Sequence, residues 1–226
     1  MKKIIVIGSS NIDMVVRTSH LPAPGETILG GEFFMNQGGK GANQAVAVKR
    51  LGGNLIFVAK LGNDILGQQS VDYFKKEGID TKYITLDENS ASGVALISVD
   101  DHAEITPNRI EAEMLTGIKI VNDADAERVA KEISAMGVQN IIVTLGSKGC
   151  LVREGDTSYC VDAFKVEPVD TTAAGDTFNG ALCVGLAEGM NLRQAAVMAS
   201  KASSVAVTRM GAQSSIPHRK ELDLNE

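Results

Sequence analysis

The chain has 226 residues, of which 44% are hydrophobic and 22% are charged, and its formal net charge is −6. This length is enough to bury the core of one α/β domain. The acidic balance argues against nucleic acid or an anionic membrane surface as the main partner, although a small phosphorylated ligand would need only local positive potential.

The N-terminal segment MKKIIVIGSSNIDMVV introduces Asn and Asp early and lacks the long apolar stretch of a secretory signal, which predicts a cytoplasmic protein. No run of about 18 apolar residues occurs in the sequence, so we expect no membrane-spanning helix. Cys150, Cys160 and Cys183 match no zinc-binding or redox spacing and are interpreted as reduced cysteines.

Short apolar strands alternate with helical patterns along most of the chain. In chain order, the predicted strands are KKIIVIG, NLIFVAKLG, ASGVALISVD, VQNIIVTLG and the hairpin GCLVREGDTSYCVDAF. The predicted helices are GGKGANQAVAVKRLGG, ILGQQSVDYFKKEGI, DADAERVAKEISAMG, AGDTFNGALCVGLAEG and NLRQAAVMASKASSVAVTR. This alternation predicts one α/β domain over residues 1–226, built on a doubly wound, mostly parallel sheet with helices on both faces. Excursions around residues 14–37 and 81–104 are predicted to form a small β lid.

The segment NQGGKGANQA offers exposed backbone, one cation and an amide just before a predicted helix. Its glycine spacing fits neither the Walker loop nor the dinucleotide fingerprint. Backbone groups at Gly38, Gly39 and Gly41, together with Lys40 and Asn43, suit a polyhydroxyl ligand. A glycine-rich turn without a ligand is the alternative interpretation.

Two later segments could contact a nucleotide. In ITPNRIEAEMLTG, Asn108 and Glu111 have the spacing of a helix capping box, but they could also reach phosphate oxygens and a hydrated Mg²⁺. The segment TLGSKG, residues 144–149, directly follows a predicted strand. Ligands of open α/β sheets bind at this position, beyond the carboxyl ends of the strands.

The segment VDTTAAGDTFNGAL places Asp176 near the start of a predicted helix, directly after small residues. A helix N-terminus presents unpaired N–H groups, and Ala173, Ala174 and Gly175 would let an anion such as phosphate approach them. As a capping residue, Asp176 would stabilise the helix by about 0.5–2 kcal/mol. As a general base, it would take a proton from a hydroxyl that attacks the bound phosphate. On this segment alone, the capping role is the more common one.

In this order, these segments resemble the ribokinases, a group within the PfkB-type carbohydrate kinase family. The glycine-rich segment and DTTAAGDTFNGA resemble the two family signatures, and the resemblance extends over nearly the whole chain. It implies ATP-dependent phosphorylation of D-ribose at its 5-hydroxyl to give D-ribose 5-phosphate. It also implies that Mg²⁺ is required, that K⁺ activates, and that two chains form a homodimer through the lid.

The resemblance also implies roles for individual residues. Asp176 would be the general base, and the backbone of Ala173, Ala174 and Gly175 would form the anion hole. Besides Asp176, the sugar site would contain Asn11, Asp13, Gly39, Lys40, Gly41, Ala42 and Asn43. The ATP site would contain Asn108, Thr144, Leu145, Gly146, Ser147, Lys148, Gly149, Gly175, Asp176 and Ser200. Glu111 would hold Mg²⁺ through water, and K⁺ would lie among Asp170, Thr172, Ala206, Arg209, Gly211 and Ser215.

The chain departs from the family at one place. Between Glu104 and Ile105, members of the family have roughly 75 further residues, which complete the lid, add about two βα units and carry a sugar-binding glutamate. Either the natural protein contains a segment that these 226 residues do not include, or it truly lacks one, and the lid and central sheet are then incomplete. The alternative functions are a kinase for deoxyribose, fructose or a nucleoside, and a catalytically inactive remnant.

Overall fold

The computed structural model describes residues 2–20, 23, 25–99, 113 and 116–222. Its strands are β1 (Lys3–Ile7), β2 (Asn11–Arg17), β3 (Glu32–Gly38), β4 (Asn54–Gly62), β5 (Ile84–Asp87), β6 (Gly93–Val99), β7 (Asn140–Thr144), β8 (Cys150–Glu154) and β9 (Thr157–Val161). Its helices are α1 (Lys40–Arg50), α2 (Ile65–Lys76), α3 (Asp123–Ala135), α4 (Ala174–Ala187) and α5 (Leu192–Ala206). The predicted alternation of strands and helices is confirmed.

The strands form three sheets within the described ranges. Strands β1, β4 and β5 are parallel, whereas β7, β8 and β9 form an antiparallel meander. A separate sheet contains β2 between antiparallel β3 and parallel β6. Strand β5, which falls within the predicted excursion 81–104, pairs with β4 and not with this small sheet. Among the described residues, β1 and β7 are not paired, so the parallel sheet and the antiparallel meander are separate.

The main core lies between α1, α4 and α5 and the strands β1 and β4. Phe57 of β4 and Phe74 of α2 are fully buried, with their rings 5.4 Å apart in an edge-to-face arrangement. A Cβ atom at Gly180 of α4 would lie 2.6 Å from the Cβ of Ala47 in α1, so glycine is needed for this close packing. Because α1 and α4 pack so closely, their first turns lie near each other.

A second hydrophobic cluster is separate from the main core. It contains Val129 and Ala130 of α3 together with Ile141 and Val143 of β7. The main core also contains Cys150 and Val152 of β8, so the antiparallel sheet contributes to both clusters. Within the described ranges, no helix combines the length and the apolar character needed to cross a membrane.

Arg50, at the end of α1, joins three parts of the fold. Its guanidinium binds both carboxylate oxygens of Glu77 and donates to the backbone oxygens of Gln213 and Ile216 at 2.6 and 2.7 Å. The Arg50 and Glu77 side chains are only 10% and 15% exposed. Burial alone would raise the pKa of Glu77, but its hydrogen bonds with Arg50 and the charge of Arg50 outweigh burial and lower that pKa.

Substitution of Glu77 by Gln is expected to lower the free energy of unfolding at pH 7 by about 1–3 kcal/mol, as for a lost charged hydrogen bond. Because the pKa of Glu77 is lowered in the folded state, its contribution is present above its ordinary value of 4.5 and is lost as the pH falls below it. In urea unfolding, the free energy of unfolding should therefore fall less between pH 7 and pH 3 in Glu77→Gln than in the unsubstituted protein.

The matched control is Glu127→Gln on α3. Glu127 pairs with Lys131 at 3.0 Å, but both side chains are about half exposed, so the change should cost at most about 0.5 kcal/mol. If both variants lowered the free energy of unfolding by the same amount, the Arg50–Glu77 pair would make no special contribution to stability.

Candidate functional site

The first turn of α4 has an unusual backbone conformation. Ala173, the residue that precedes the helix, has φ of 60° and ψ of 10°, the only positive φ of a non-glycine residue in the described part of the chain. Such a conformation costs roughly 1–3 kcal/mol and tends to occur at functional sites. The turn is held by hydrogen bonds from Ala174 N to Thr171 O (3.2 Å) and from Thr177 N to Ala173 O (2.8 Å).

The carboxylate of Asp176 is bound by the first turn of α1. Its Oδ2 accepts from Asn43 Nδ2 at 3.0 Å, and its Oδ1 accepts from Gln44 Nε2 at 3.1 Å. The N-cap residue of α4 is Ala173, and Asp176 lies in the first turn, where the helix dipole favours an acid, so its contacts with α1 are additional to that stabilising role. The first turns of two helices thus converge on one carboxylate.

Asn11 and Asp13 lie together at the start of β2. Asn11 Nδ2 donates to Asp13 Oδ1 at 2.6 Å. Burial raises the pKa of Asp13, and the hydrogen bond from Asn11 offsets part of this increase. A Cβ atom at Gly38 would overlap the carboxylate of Asp13, so the glycine leaves room for this side chain.

The glycine-rich segment connects this pair to α1. Gly39 has φ of 95°, and a Cβ atom there would lie 2.9 Å from Asn11 Oδ1. Lys40 is the first residue of α1, and Asn43 follows one turn later. Gly41 and Ala42 are buried, and Ala42 N donates to Ser9 O at 3.0 Å, so these two residues pack against the loop after β1. The structure therefore brings the predicted sugar-site residues together along one path from β2 to Asp176.

A cavity of about 370 Å³ lies on the other side of the α4 N-terminus. This volume is in the range of small-molecule sites. The predicted nucleotide residues that line it are Thr144, Gly146, Ser147, Gly149, Gly175 and Ser200. Leu145, Lys148 and Asp176 are not among the lining residues, and the exposed Lys148 Nζ lies 3.9 Å from Asp123 Oδ1.

Several lining residues were not predicted from the sequence. They belong to the segment after β9, to α5 and to the residue that follows α5, and they include Phe164, Lys165, Val166, Ser203, Ser204 and Val207. In the segment DAFKVEP, the aromatic Phe164 and the basic Lys165 were the sequence signal that could have indicated this wall of the cavity. Gln44 was also missed, because the pattern of helix α1 does not distinguish it from other polar residues.

Two loops come together beside the α4 N-terminus. Asp170 accepts from Thr172 N through Oδ1 and from Gly211 N through Oδ2, both at 2.8 Å. Asp170 N also donates to Val207 O at 3.1 Å. These bonds bring residues 170–172 close to residues 206–211, as the predicted potassium site requires.

The remaining members of the predicted metal sites are less informative. Arg209 forms an ion pair with Glu221 at 2.6 Å, and the buried Ser215 hydroxyl donates to Ala212 O at 2.7 Å. In the described ranges, no group of three or more His, Cys, Asp or Glu side chains could hold a metal ion. Asn108, Glu111 and the junction of Glu104 and Ile105 lie outside the described residues.

The chain matches known proteins over nearly its whole length. Ribokinase from Haemophilus influenzae is 30% identical over 296 residues, with 97% of each chain covered, and ribokinase from Bacillus subtilis is 31% identical over 289 residues, with 99% of each covered. The crystal structure of Thermotoga maritima ribokinase is similar, with a TM-score of 0.85, 31% identity and 97% of each chain covered. Ribokinase from Arabidopsis thaliana, solved with ribose and ATP, shares the fold, with a TM-score of 0.89, 23% identity and 98% coverage of each chain.

The sequence profile of the pfkB family carbohydrate kinases matches the chain in two segments, residues 1–106 and 102–219. The segments meet at 102–106, where the sequence departs from the family. The alignment with the Haemophilus influenzae protein is 296 residues long, so at least 70 of its positions have no counterpart among these 226 residues. With matches over both halves and about 30% identity to several relatives, the chain belongs to the pfkB family of carbohydrate kinases.

Proposed function

We propose that the protein transfers the γ-phosphoryl group of ATP to the 5-hydroxyl of D-ribose, giving D-ribose 5-phosphate. The position of Asp176 is the observation that carries this proposal. Gly175, its neighbour, lines the larger cavity, whereas its carboxylate binds Asn43 on the side of Asn11 and Asp13. One carboxylate thus lies between a nucleotide-sized cavity and a group of polar side chains. The names of the relatives support the same reaction.

Asp176 would act as the general base. It accepts the proton of the 5-hydroxyl while that oxygen forms a bond to the γ-phosphorus, and the bond between the γ-phosphorus and the bridging oxygen breaks. The proton ends on the carboxylate, and ADP leaves. To receive the substrate hydroxyl, Asp176 must exchange at least one of its hydrogen bonds to Asn43 and Gln44.

The α4 N-terminus would stabilise the transferring group. Backbone N–H groups at a helix start can bind the negative oxygens of the phosphoryl group without reorganisation. Ala174 N donates to Thr171 O in this structure, and a bound phosphoryl group would replace that bond. The positive φ of Ala173 sets the direction of this turn.

The metal ions would act on the nucleotide side. Mg²⁺ would neutralise charge on the ATP phosphates, and Glu111 remains its predicted protein contact. K⁺ would be held by the loops that Asp170 joins, and the close approach of these loops supports that assignment. With K⁺ bound, these loops would order the turn before α4. In an ADP-release assay, an unchanged rate after replacement of KCl by choline chloride would contradict it.

The sugar preference follows from Asn11 and Asp13. An ionised carboxylate can accept from two adjacent hydroxyls, and Asn11 fixes its orientation. In the same assay, D-ribose should have a kcat/KM about 10–100-fold above that of 2-deoxyribose, because one hydrogen bond to a charged group is lost. Asp13→Asn should reduce this difference. Fructose is the third sugar to be assayed. Any sugar with a kcat/KM above that of D-ribose would contradict the choice of D-ribose as the substrate.

A further inference from the structure

Gln44 contacts the carboxylate of Asp176 but belongs to none of the predicted sugar, nucleotide or metal sites. Its Nε2 donates to Oδ1 at 3.1 Å, while Asn43 Nδ2 donates to Oδ2 at 3.0 Å. An ionised carboxylate only accepts hydrogen bonds, so both amides present their NH₂ groups to it. With one donor on each oxygen, rotation of the carboxylate about its Cβ–Cγ bond is restricted.

The two amides reach the carboxylate from different parts of the site. Asn43 is 5% exposed, and its backbone N–H donates at 2.9 Å to the oxygen of Gly39, one turn earlier. A Cβ atom at Gly39 would lie 2.9 Å from Asn11 Oδ1, so this turn adjoins the residues that are proposed to hold the sugar. Gln44 lies against α4 instead, because its backbone oxygen is 3.1 Å from the position of a Cβ atom at Gly180. Asn43 is therefore on the sugar side of the carboxylate, and Gln44 is on the side of the helix contact.

This difference decides which hydrogen bond a substrate can replace. A hydroxyl that arrives from the sugar side would take the place of Asn43 at Oδ2. The bond from Gln44 to Oδ1 can persist meanwhile, because the packing of α1 against Gly180 fixes the Gln44 backbone. A general base needs its oxygen within hydrogen-bond distance of the proton, and a carboxylate without this anchor would rotate between productive and unproductive orientations.

We propose that Gln44 is a positioning residue for the general base, which holds Oδ1 of Asp176 and keeps Oδ2 directed at the attacking hydroxyl. This inference rests on the proposed function and adds to it a residue that acts through Asp176. Gln44 is not among the described residues that line the cavity of about 370 Å³, and in this role it contacts neither the sugar nor ATP. Its contribution should therefore appear in kcat and not in KM.

The first test is Gln44→Met, which keeps the length of the side chain and removes the donor. In the ADP-release assay, kcat should fall about 10–100-fold, the effect of losing one hydrogen bond to a charged group. KM for the sugar and KM for ATP should stay unchanged. The sugar used is the one with the highest kcat/KM among D-ribose, 2-deoxyribose and fructose. The result therefore does not depend on D-ribose being the preferred substrate.

Two further variants separate the lost donor from a change in packing. Gln44→Ala also lacks the donor but removes bulk and favours the helix, so it should lower kcat as much as Gln44→Met. The matched control is Gln68→Met on α2, which removes an exposed amide that donates to Asn63 Oδ1 at 3.2 Å and should leave kcat unchanged. Thermal unfolding of each variant measures any loss of stability.

A double-mutant cycle shows whether Gln44 acts through Asp176. In an Asp176→Asn background the base is already lost, so adding Gln44→Met should lower kcat little further. A residue that supports only the contact between α1 and α4 would instead lower kcat by the same factor in both backgrounds.

The possible outcomes distinguish this inference from the proposed reaction. If Asp176→Asn lowered kcat but neither Gln44 variant did, the positioning role would be overturned and the general base would stand. Losses that multiply in the double variant, or a loss in Gln44→Met without one in Gln44→Ala, would also overturn it. Normal turnover by Asp176→Asn, or no turnover of any of the three sugars, would contradict the proposed function and the role of Gln44 together.

Discussion

Replacement of Asp176 by Asn is expected to lower kcat for D-ribose by about 10²–10⁴, the range of general base catalysis. The amide has nearly the same shape as the carboxylate but cannot take the proton of the attacking hydroxyl. The α4 N-terminus and the larger cavity remain, so binding and charge stabilisation persist, and a residual rate is expected. A coupled assay of ADP release measures the effect, and KM for ATP should change little.

The control for this variant is Asp72→Asn. Asp72 lies on the exposed side of α2, 3.4 Å from Lys75, and should tolerate the change without loss of activity. Thermal unfolding of both variants separates lost chemistry from lost structure. Normal turnover by Asp176→Asn would contradict the assignment of Asp176 as the general base. A fall in kcat with an unchanged melting temperature would support that assignment.

The α/β alternation and the small polar motifs could be predicted because each rests on local sequence. Asp176 and the glycine-rich segment are examples, since small residues before a helix mark a place where a ligand can approach. Gln44 could not be predicted, because its contact with Asp176 depends on the packing of α1 against α4 through Gly180. Such contacts between distant segments leave no periodic signal.

The role of Asp176 illustrates the same limit. Its place in the first turn of a helix is compatible with capping and with catalysis. Only the hydrogen bonds from Asn43 and Gln44 show that its carboxylate also contacts α1, beside the polar residues of β2 and the glycine-rich segment. The wall of the larger cavity formed by residues 163–168 was missed for a related reason, because an irregular segment has no pattern that tells which side chains face inward.

The second large expected effect is a change in the free energy of unfolding when exposed residues of strand β1 are substituted. Ile4 is 9% exposed, but Ile5 and Ile7, on the other face, are 60% and 77% exposed. Parallel strands are normally covered on both faces, and in the described residues β1 pairs only with β4. The Haemophilus influenzae relative has at least 70 more positions, and the match to the family profile is divided at 102–106. We expect the gene product isolated from its own cells to contain such a segment, packed on Ile5 and Ile7.

The double variant Ile5→Thr/Ile7→Thr tests this expectation in both proteins, because threonine keeps the β-branched shape but not the apolar surface. In the 226-residue chain, the free energy of unfolding should change by no more than about 0.5 kcal/mol per site, as at exposed positions. In the longer gene product, each site should cost about 1.5–3 kcal/mol, because the side chains would be covered. Ile4→Thr, a buried control, should destabilise both proteins. An intact mass near 23.8 kDa for the gene product would contradict the expected segment and leave the exposed face of β1 as a property of the native protein.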